Sequence, residues 1–227
     1  MKHLIPLILI AMGLLGCQSN SNSGSVSDTT QKIAEVPLSY SGPLDLARLQ
    51  LKENAPALLK AYKIKLEAVT DTDATMLGLE RIKSRASEAL QYGGTNLSGS
   101  DGKLNNYAVF HYDENSIRLI FFQVFLYTRD KAAALSKELE KMGKPTFEKQ
   151  WPDGSLTVDA EGNGVPPKPD EKQRFRVWED KASGISRIYN IVENSHSLVA
   201  ELTVLKRADK TSRDWMNTTD LDWYVKQ

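Results

Sequence analysis

The pattern of apolar and polar residues is clearest in the middle of the chain, where it predicts two strands and a helix. Residues 106–112 are aromatic-rich and strand-like, and residues 113–116 have the composition of a turn. Residues 117–127 predict a long strand with two apolar faces, which is typical of a central strand or of a strand with one face that awaits a partner. Apolar residues recur at spacings of three and four over residues 130–142, which predicts an amphipathic helix that Gly143 ends.

Shorter elements are predicted before this hairpin. The patterns there predict a helical tendency after Pro43, a helical turn at residues 56–62, a half-buried strand at residues 62–68, a turn at residues 71–73 and a short helix from Ser84 to Tyr92 that ends at Gly93 and Gly94. The first part of the folded chain is therefore expected to combine short helices with one strand.

A break in the pattern separates this region from a second set of strands. Residues 151–172 contain a turn that begins at Trp151 and a connector rich in glycine, proline and charge, for which we favour a spacer over a proline-rich ligand. The patterns that follow predict a three-stranded meander at residues 174–178, 185–192 and 197–205, and then a short helix capped by Thr211 and Asp214.

These elements predict an α+β fold in which an antiparallel sheet of hairpins has helices packed on one face. In both residues 112–117 and residues 178–185, an aromatic residue is followed by acidic residues, a turn and an isoleucine, which indicates two related hairpin-plus-helix units. The alternative is that unrelated hairpins share this order because their turns favour the same residue types. We divide the chain into residues 1–16, 17–35, 36–150, 151–172 and 173–227, and expect the last segment to form one domain with 36–150.

The strongest motif lies at the N-terminus. Lys2 precedes an apolar stretch at residues 4–15, which is shorter than the about 20 residues of a membrane-spanning helix and is typical of a signal peptide. The run Leu14-Leu15-Gly16-Cys17 that follows resembles the lipobox of bacterial lipoproteins. The resemblance implies that the peptide is cut before Cys17, that the thiol is diacylated and that the new amino group is acylated.

The resemblance also implies a cellular address. Gln18 occupies the position at which lipoproteins retained in the inner membrane carry aspartate, so we expect the periplasmic face of the outer membrane of a Gram-negative bacterium. Several acyl chains hold a protein on a membrane stably, whereas a single chain holds it marginally. Residues 18–31 are small and polar, and they predict a flexible tether with an end-to-end distance of roughly 20 Å.

Composition narrows the function without identifying it. The 227 residues carry 29 Lys and Arg against 29 Asp and Glu, and this balance argues against a protein that binds nucleic-acid phosphates. Cys17 is the single cysteine, which excludes an internal disulfide framework and a zinc site built on several thiolates. Charged residues at 26% and hydrophobic residues at 41% are typical of a soluble globular domain.

Candidate chemistry is sparse. His111 and Asp113 lie two residues apart on one strand face, and together with His196 they form a candidate polar site for acid–base work or a mixed metal site. A histidine in such a pattern is by default an ordinary buried or solvent-facing side chain, and we favour that interpretation over the polar site. The sequence contains no recognised catalytic motif, metal-ligand spacing or cofactor-binding loop, so we expect no enzyme activity, no cofactor and no metal.

A binding surface is the second candidate. Trp151 begins a turn rather than lying inside a strand, which favours an exposed aromatic side chain that contacts a partner. Adjacent predicted strands carry basic residues that form a candidate exposed sheet face with Glu179, for which we favour a solvated, salt-bridged surface over a binding face; these residues are Arg174, Arg176 and Arg187. Three residues near the C-terminus are expected to hold it against the domain, namely Leu221, Trp223 and Tyr224.

Together these features predict a lipid-anchored periplasmic protein that acts as a non-catalytic protein-binding module. Its expected contacts are the membrane, through the lipid on Cys17, and a protein partner, either an envelope assembly component or a toxin that an immunity-type inhibitor neutralises. Two alternatives stay open, a periplasmic hydrolase that acts on cell-wall or lipid material and a structural envelope protein that contacts peptidoglycan. Nucleic acid is not expected as a partner.

Overall fold

The structure is a computed structural model that describes residues 42–68, 77–154, 157–158 and 164–219. The predicted signal peptide, Cys17 and the predicted tether lie outside these residues, as do the predicted turn at 71–73 and the C-terminal residues from 220 onward. Within the described ranges, no helix combines the length and the apolar character that crossing a lipid bilayer demands.

Short helices and strands alternate along the described residues. The helical segments are the 3₁₀ turns Leu46–Arg48 and Ser87–Ala89 and the α-helices α1 (Ala55–Ala61), α2 (Arg129–Glu140) and α3 (Lys210–Asn217). The strands are β1 (Glu67–Ala68), β2 (Leu79–Ser84), β3 (Gln91–Tyr92), β4 (Thr95–Asn96), β5 (Tyr107–Asp113), β6 (Leu119–Leu126), β7 (Phe147–Trp151), β8 (Thr157–Val158), β9 (Gly164–Val165), β10 (Lys172–Asp180), β11 (Ile185–Glu193) and β12 (Leu198–Lys206).

One antiparallel sheet organises these elements, and the predicted α+β class is confirmed. Its strand order is β1-β2-β5-β6-β12-β11-β10-β7, whereas β3 pairs with β4 and β8 pairs with β9 outside it. The predicted hairpin corresponds to β5 and β6, and the predicted meander corresponds to β10, β11 and β12. Strands β6 and β12 pair at the centre, so strands from before and after the predicted connector lie in the same sheet.

The first face of the sheet carries the larger hydrophobic core, and α1 and α2 pack on it. Met142 was expected to belong to the apolar stripe of α2, but it is 43% exposed because the helix ends at Glu140. The other residues of the predicted stripe are buried, namely Ala132, Leu135 and Leu139.

The second face carries a smaller core, and α3 packs there rather than on the first face. Met216 of α3 is buried in one cluster with Phe121 of β6 and Leu205 of β12. The prediction that helices pack on one face therefore holds for α1 and α2 and fails for α3. The two suggested hairpin-plus-helix units differ in the same respect, because α2 and α3 cover opposite faces.

The predicted capping pair of the last helix is also wrong. Asp209 is the N-cap of α3, and its Oδ1 accepts a hydrogen bond from the Ser212 amide at 3.1 Å. Thr211 lies inside the first turn, and Asp214 forms an ion pair with Lys210 at 2.5 Å. An aspartate directly before the helix is among the strongest capping residues, which explains why the helix begins two residues earlier than expected.

The region before the β5–β6 hairpin differs most from the predictions. Ser84 does not begin a helix, because it ends β2, a strand that the sequence patterns did not indicate. Its hydroxyl group donates a hydrogen bond to the Lys65 carbonyl oxygen at 2.6 Å. One 3₁₀ turn and the β3–β4 hairpin follow, with Gly93 and Gly94 at positive φ in the hairpin turn. Pairing of β2 with β1 and β5 thus overrides the local helical preference.

Two other predicted elements are shorter than expected. A strand was predicted at residues 62–68, and Glu67–Ala68 is the part of it that pairs with β2. Lys63 adopts a left-handed φ of 55°, which breaks the extended chain before this pair. Leu66, which was expected to face the core, is 45% exposed. The leucine-rich segment after Pro43 forms one 3₁₀ turn instead of a helix, whereas α1 confirms the helical turn predicted next to it.

The predicted connector contains regular structure. The turn that begins at Trp151 forms as predicted, and the Gly154 amide donates to the Trp151 carbonyl oxygen at 3.3 Å. Gly154 has a φ of +75°, and a Cβ at this position would lie 2.6 Å from Pro167, so the turn requires glycine. Strands β8 and β9 then pair within the segment that was expected to lack secondary structure.

Candidate functional site

The second face of the sheet has a polar centre. Gln123 of β6 pairs with Thr203 of β12, and Glu201 lies two residues along β12 on the same face. Both strands are otherwise almost wholly apolar, and Gln123 and Thr203 are 7% and 1% exposed. Buried polar side chains cost free energy unless they have partners, so their grouping marks this face as the candidate site.

These side chains form a continuous chain of hydrogen bonds. Gln123 Nε2 donates to Glu201 Oε1 at 2.6 Å, and Thr203 Oγ1 donates to the same oxygen at 2.9 Å. Gln123 Oε1 lies 2.9 Å from His111 Nε2. Because a carboxylate accepts and does not donate, the Gln123 amide has one orientation, and His111 donates to its oxygen through Nε2. This hydrogen bond therefore requires a proton on His111 Nε2.

The surroundings of His111 keep it neutral. Its ring stacks on Phe121 with the ring centroids 4.0 Å apart, and it lies 6.3 Å from the Trp215 ring. Burial lowers the pKa of His111 to about 3, the Gln123 hydrogen bond opposes this shift, and the charge of Arg81 on the neighbouring strand reinforces it. A histidine with this pKa exchanges no proton near pH 7, so it serves as a fixed hydrogen-bond donor to Gln123.

A cavity of about 180 Å³ lies beside this chain of hydrogen bonds, between the sheet and α3. Its walls combine hydroxyl, carboxamide and carboxylate groups with one indole ring and one aliphatic side chain. The lining residues are Gln123, Ile188, Asn190, Glu201, Thr203, Trp215 and Thr219. This combination of groups suits a small polar ligand.

Three half-buried aromatic side chains lie on the second face beside the polar centre, and we call Tyr107, Phe125 and Tyr127 the aromatic patch. The Tyr107 ring stacks on Phe125 with centroids 4.8 Å apart and lies 6.2 Å from the Tyr127 ring. Phe125 pairs with Glu201 across the β6–β12 ladder, which places the patch next to the polar centre. Val199, two residues before Glu201 on the same face, is 43% exposed. The patch therefore presents accessible apolar surface.

Basic side chains border the aromatic patch on the side of β2, and we call Arg81, Lys83 and Arg85 the basic rim. Lys83 Nζ lies 3.9 Å from the centroid of the Tyr107 ring, which is a cation–π contact. Burial and the charge of Arg85 lower the pKa of Lys83, while Glu67 opposes them. Arg85 forms an ion pair with Glu67. Within the described residues, this rim therefore combines three basic side chains with the carboxylate of Glu67.

The structure does not bring the predicted polar site together. Asp113 lies at the end of β5, and its carboxylate accepts hydrogen bonds from amides of the hairpin turn, the shorter one from Ser116 at 2.6 Å. His196 is exposed in the turn between β11 and β12. Leu205 lies level with His111 in the sheet, and His196 precedes Leu205 by nine residues. The two histidines are therefore roughly 25–30 Å apart.

The structure places two of the three predicted surface arginines in the interior. Arg176 and Arg187 are buried on the first face, because α2 and the β3–β4 hairpin cover them. Arg176 Nη1 lies 3.0 Å from Glu140 Oε1 of α2, and Arg187 Nε donates to the Tyr92 hydroxyl group at 3.0 Å. Arg174 is exposed. Arg176 therefore ties α2 to the sheet and Arg187 ties the β3–β4 hairpin to it, so neither forms part of a basic binding face.

Trp151 and Glu179 lie on the second face but away from the aromatic patch. Trp151 ends β7, which β10, β11 and β12 separate from β6. Its ring packs against the smaller core, and Lys149 Nζ lies 4.7 Å from the ring centroid. Glu179 forms an ion pair with Arg207 at 2.8 Å. Trp151 is therefore a half-buried edge residue rather than an isolated exposed platform.

Sequence reasoning missed the polar centre of the second face, although a signal for it exists. Gln123 interrupts an apolar run in β6, and Glu201 and Thr203 interrupt another in β12. A lone polar residue in a buried strand indicates a partner elsewhere in the fold. The sequence does not show which partner, because the residues of the Gln123–Glu201 hydrogen bond are 78 positions apart.

Among the residues that the structure describes, no three His, Cys, Asp or Glu side chains gather closely enough to hold a metal ion. Compared with protein families, with curated proteins and with solved structures, the chain matches none.

Proposed function

We propose that this chain is a lipid-anchored periplasmic protein that acts as a non-catalytic protein-binding module, with the partner docking on the second face of the sheet. The observation that carries the proposal is the aromatic patch bordered by the basic rim. Tyrosine and other aromatic side chains are enriched among the residues that dominate binding free energy, and half-buried rings lose little conformational entropy on binding. The neutral, buried His111 also supports binding rather than acid–base catalysis.

Charge complementarity defines the partner's chemistry. A surface that meets Arg81, Lys83 and Arg85 while covering the aromatic patch needs acidic groups beside apolar ones. Such a partner is a protein with an acidic, partly apolar surface, either an envelope assembly component or a toxin that the chain neutralises as an immunity-type inhibitor. The proposed anchor at Cys17 keeps the module at the periplasmic face of the outer membrane, and the proposed tether lets it reorient.

Co-purification from cells tests this proposal. The full lipidated chain is crosslinked in intact cells with a short amine-reactive reagent, purified and compared with Phe125→Asp and Lys83→Glu variants. We expect one protein partner whose recovery falls about tenfold in each variant, because a buried charge or a reversed rim charge opposes docking. Met142→Asp is the matched control, since Met142 is 43% exposed beyond the end of α2. Equal recovery from all four proteins would contradict the proposal.

A further inference from the structure

The cavity between the sheet and α3 has polar groups that are already ordered. Its polar groups are held in place by bonds within the sheet, since Glu201 Oε1 accepts from both Gln123 and Thr203. Asn190 Oδ1 accepts from Gln173 Nε2 at 2.9 Å, which holds the Asn190 side chain in place against β10. Groups that are already ordered lose little entropy when a ligand binds.

The cavity offers both kinds of hydrogen-bonding group. Glu201 contributes carboxylate oxygen, which accepts. Asn190 Nδ2 donates to no residue in the described ranges, and it lies on a residue that lines the cavity. A ligand that satisfies both must itself donate and accept, as a hydroxyl group does.

The apolar wall of the cavity is equally fixed. Trp215 of α3 packs on Phe121 with ring centroids 4.4 Å apart, and Ile188 of β11 is 2% exposed. An indole ring next to carboxamide and carboxylate groups matches a ligand with a weakly polar ring face and a polar edge. A purely apolar ligand would leave the polar groups unsatisfied, and an anion would meet the carboxylate of Glu201.

We propose that this cavity binds one ring of a neutral sugar, with Glu201 and Asn190 as the hydroxyl-binding pair and Trp215 as part of the apolar wall. The volume of about 180 Å³ supports a single ring, because sites for drug-sized ligands measure about 300–1,000 Å³. An organic cation would satisfy Glu201 but would offer no acceptor to the Asn190 amide. The inference goes beyond the proposed function and stands independently of it, because the protein partner is assigned to the aromatic patch.

Methyl NMR of the full lipidated chain tests this assignment directly. The protein is prepared in a detergent without a sugar headgroup and titrated with glucose, N-acetylglucosamine and choline as separate probes. We expect at least one sugar to move the methyl signals of Ile188, which lines the cavity, and to leave those of Ile185 unchanged. Ile185 is the internal control because it lies on the opposite face of the same strand. A cell-wall disaccharide, titrated in parallel, shows whether the ring is bound free or as part of a glycan.

Two variants make the test specific. Asn190→Ala and Glu201→Gln should each weaken sugar binding about tenfold, because each removes or neutralises one hydrogen-bonding group. Gln150→Ala is the matched control, since Gln150 is an exposed amide on β7 that bonds to Glu148. The inference is overturned if no sugar moves Ile188 at tens of millimolar, if choline alone moves it, if Ile185 moves equally, or if both cavity variants bind like the control.

Discussion

Replacing Gln123 with methionine isolates the contribution of the polar centre. The substitution keeps the length of the side chain and removes the hydrogen bonds that join Glu201 to His111. Gln123 is 7% exposed and His111 is 1% exposed, so the His111 Nε2–H is left buried without an acceptor.

The structure sets the expected magnitude. An unsatisfied buried donor costs about 1–3 kcal/mol. Glu201 keeps the Thr203 hydrogen bond and is half-buried, so water replaces the lost amide at little further cost. We expect the free energy of unfolding to fall by about 2–3 kcal/mol, which corresponds to a decrease in Tm of about 5–10 °C for a domain of this size.

Urea and thermal unfolding of the variant measure this effect, with Gln150→Met on exposed strand β7 as the control. The control should stay within about 0.5 kcal/mol of the native chain. The double variant Gln123→Met with His111→Phe should recover more than half of the loss, because removing both partners of a buried hydrogen bond costs far less than removing one. A Gln123→Met variant as stable as the control, or a double variant no better than the single one, would refute the reasoning.

Three further predictions concern other parts of the chain. The pKa of His111 falls from 6.5 to about 3 on folding, so between these pH values the unfolded chain binds one more proton than the folded chain. The free energy of unfolding therefore decreases on acidification over this range, by up to about 1.4 kcal/mol per pH unit. His111→Phe should therefore flatten the fall in unfolding free energy between pH 6.5 and 4, and an unchanged slope would contradict the assignment. Arg176→Met should lower the free energy of unfolding in urea by about 1–3 kcal/mol, because it removes the buried guanidinium group that bonds α2 to the sheet. Glu140→Gln should lower it by less than about 1 kcal/mol, because the Glu140 side chain is 53% exposed. Equal losses from the two variants would be inconsistent with this difference in burial. Cys17→Ser should leave the chain in the soluble periplasmic fraction or as an uncleaved precursor, and fractionation that finds it cleaved and still on the membrane would rule out the lipid anchor.

The sequence predicts those elements whose patterning is dictated by local spacing. The β5–β6 hairpin is recognisable because two runs of aromatic and aliphatic residues flank a turn sequence, and α2 because a three-to-four spacing of apolar residues persists over the helix. Residues 84–92 show the limit of such patterns, since Ser84 has the composition of a helix cap but its strand pairs with β1 and β5. Local preference yields there to pairing between distant segments.

The candidate site lay beyond prediction for a related reason. Alternation shows that a strand has two faces, but it does not show which face the helices cover. Arg176 and Arg187 therefore looked like surface residues, whereas α2 and a small hairpin bury them. The polar centre forms when β6 and β12 pair, which joins Gln123 to Glu201 across 78 positions of the chain.

Photo-crosslinking at a single position of the full lipidated chain in intact cells tests the docking face most directly. A photoreactive amino acid at Val199 stands beside the aromatic patch, and the same amino acid at Met142 gives a control of equal exposure, 43% at both positions. We predict one discrete protein adduct from Val199 that Lys83→Glu abolishes, and no such adduct from Met142. The same adduct at equal yield from both positions, or none from Val199, would contradict docking on the second face of the sheet.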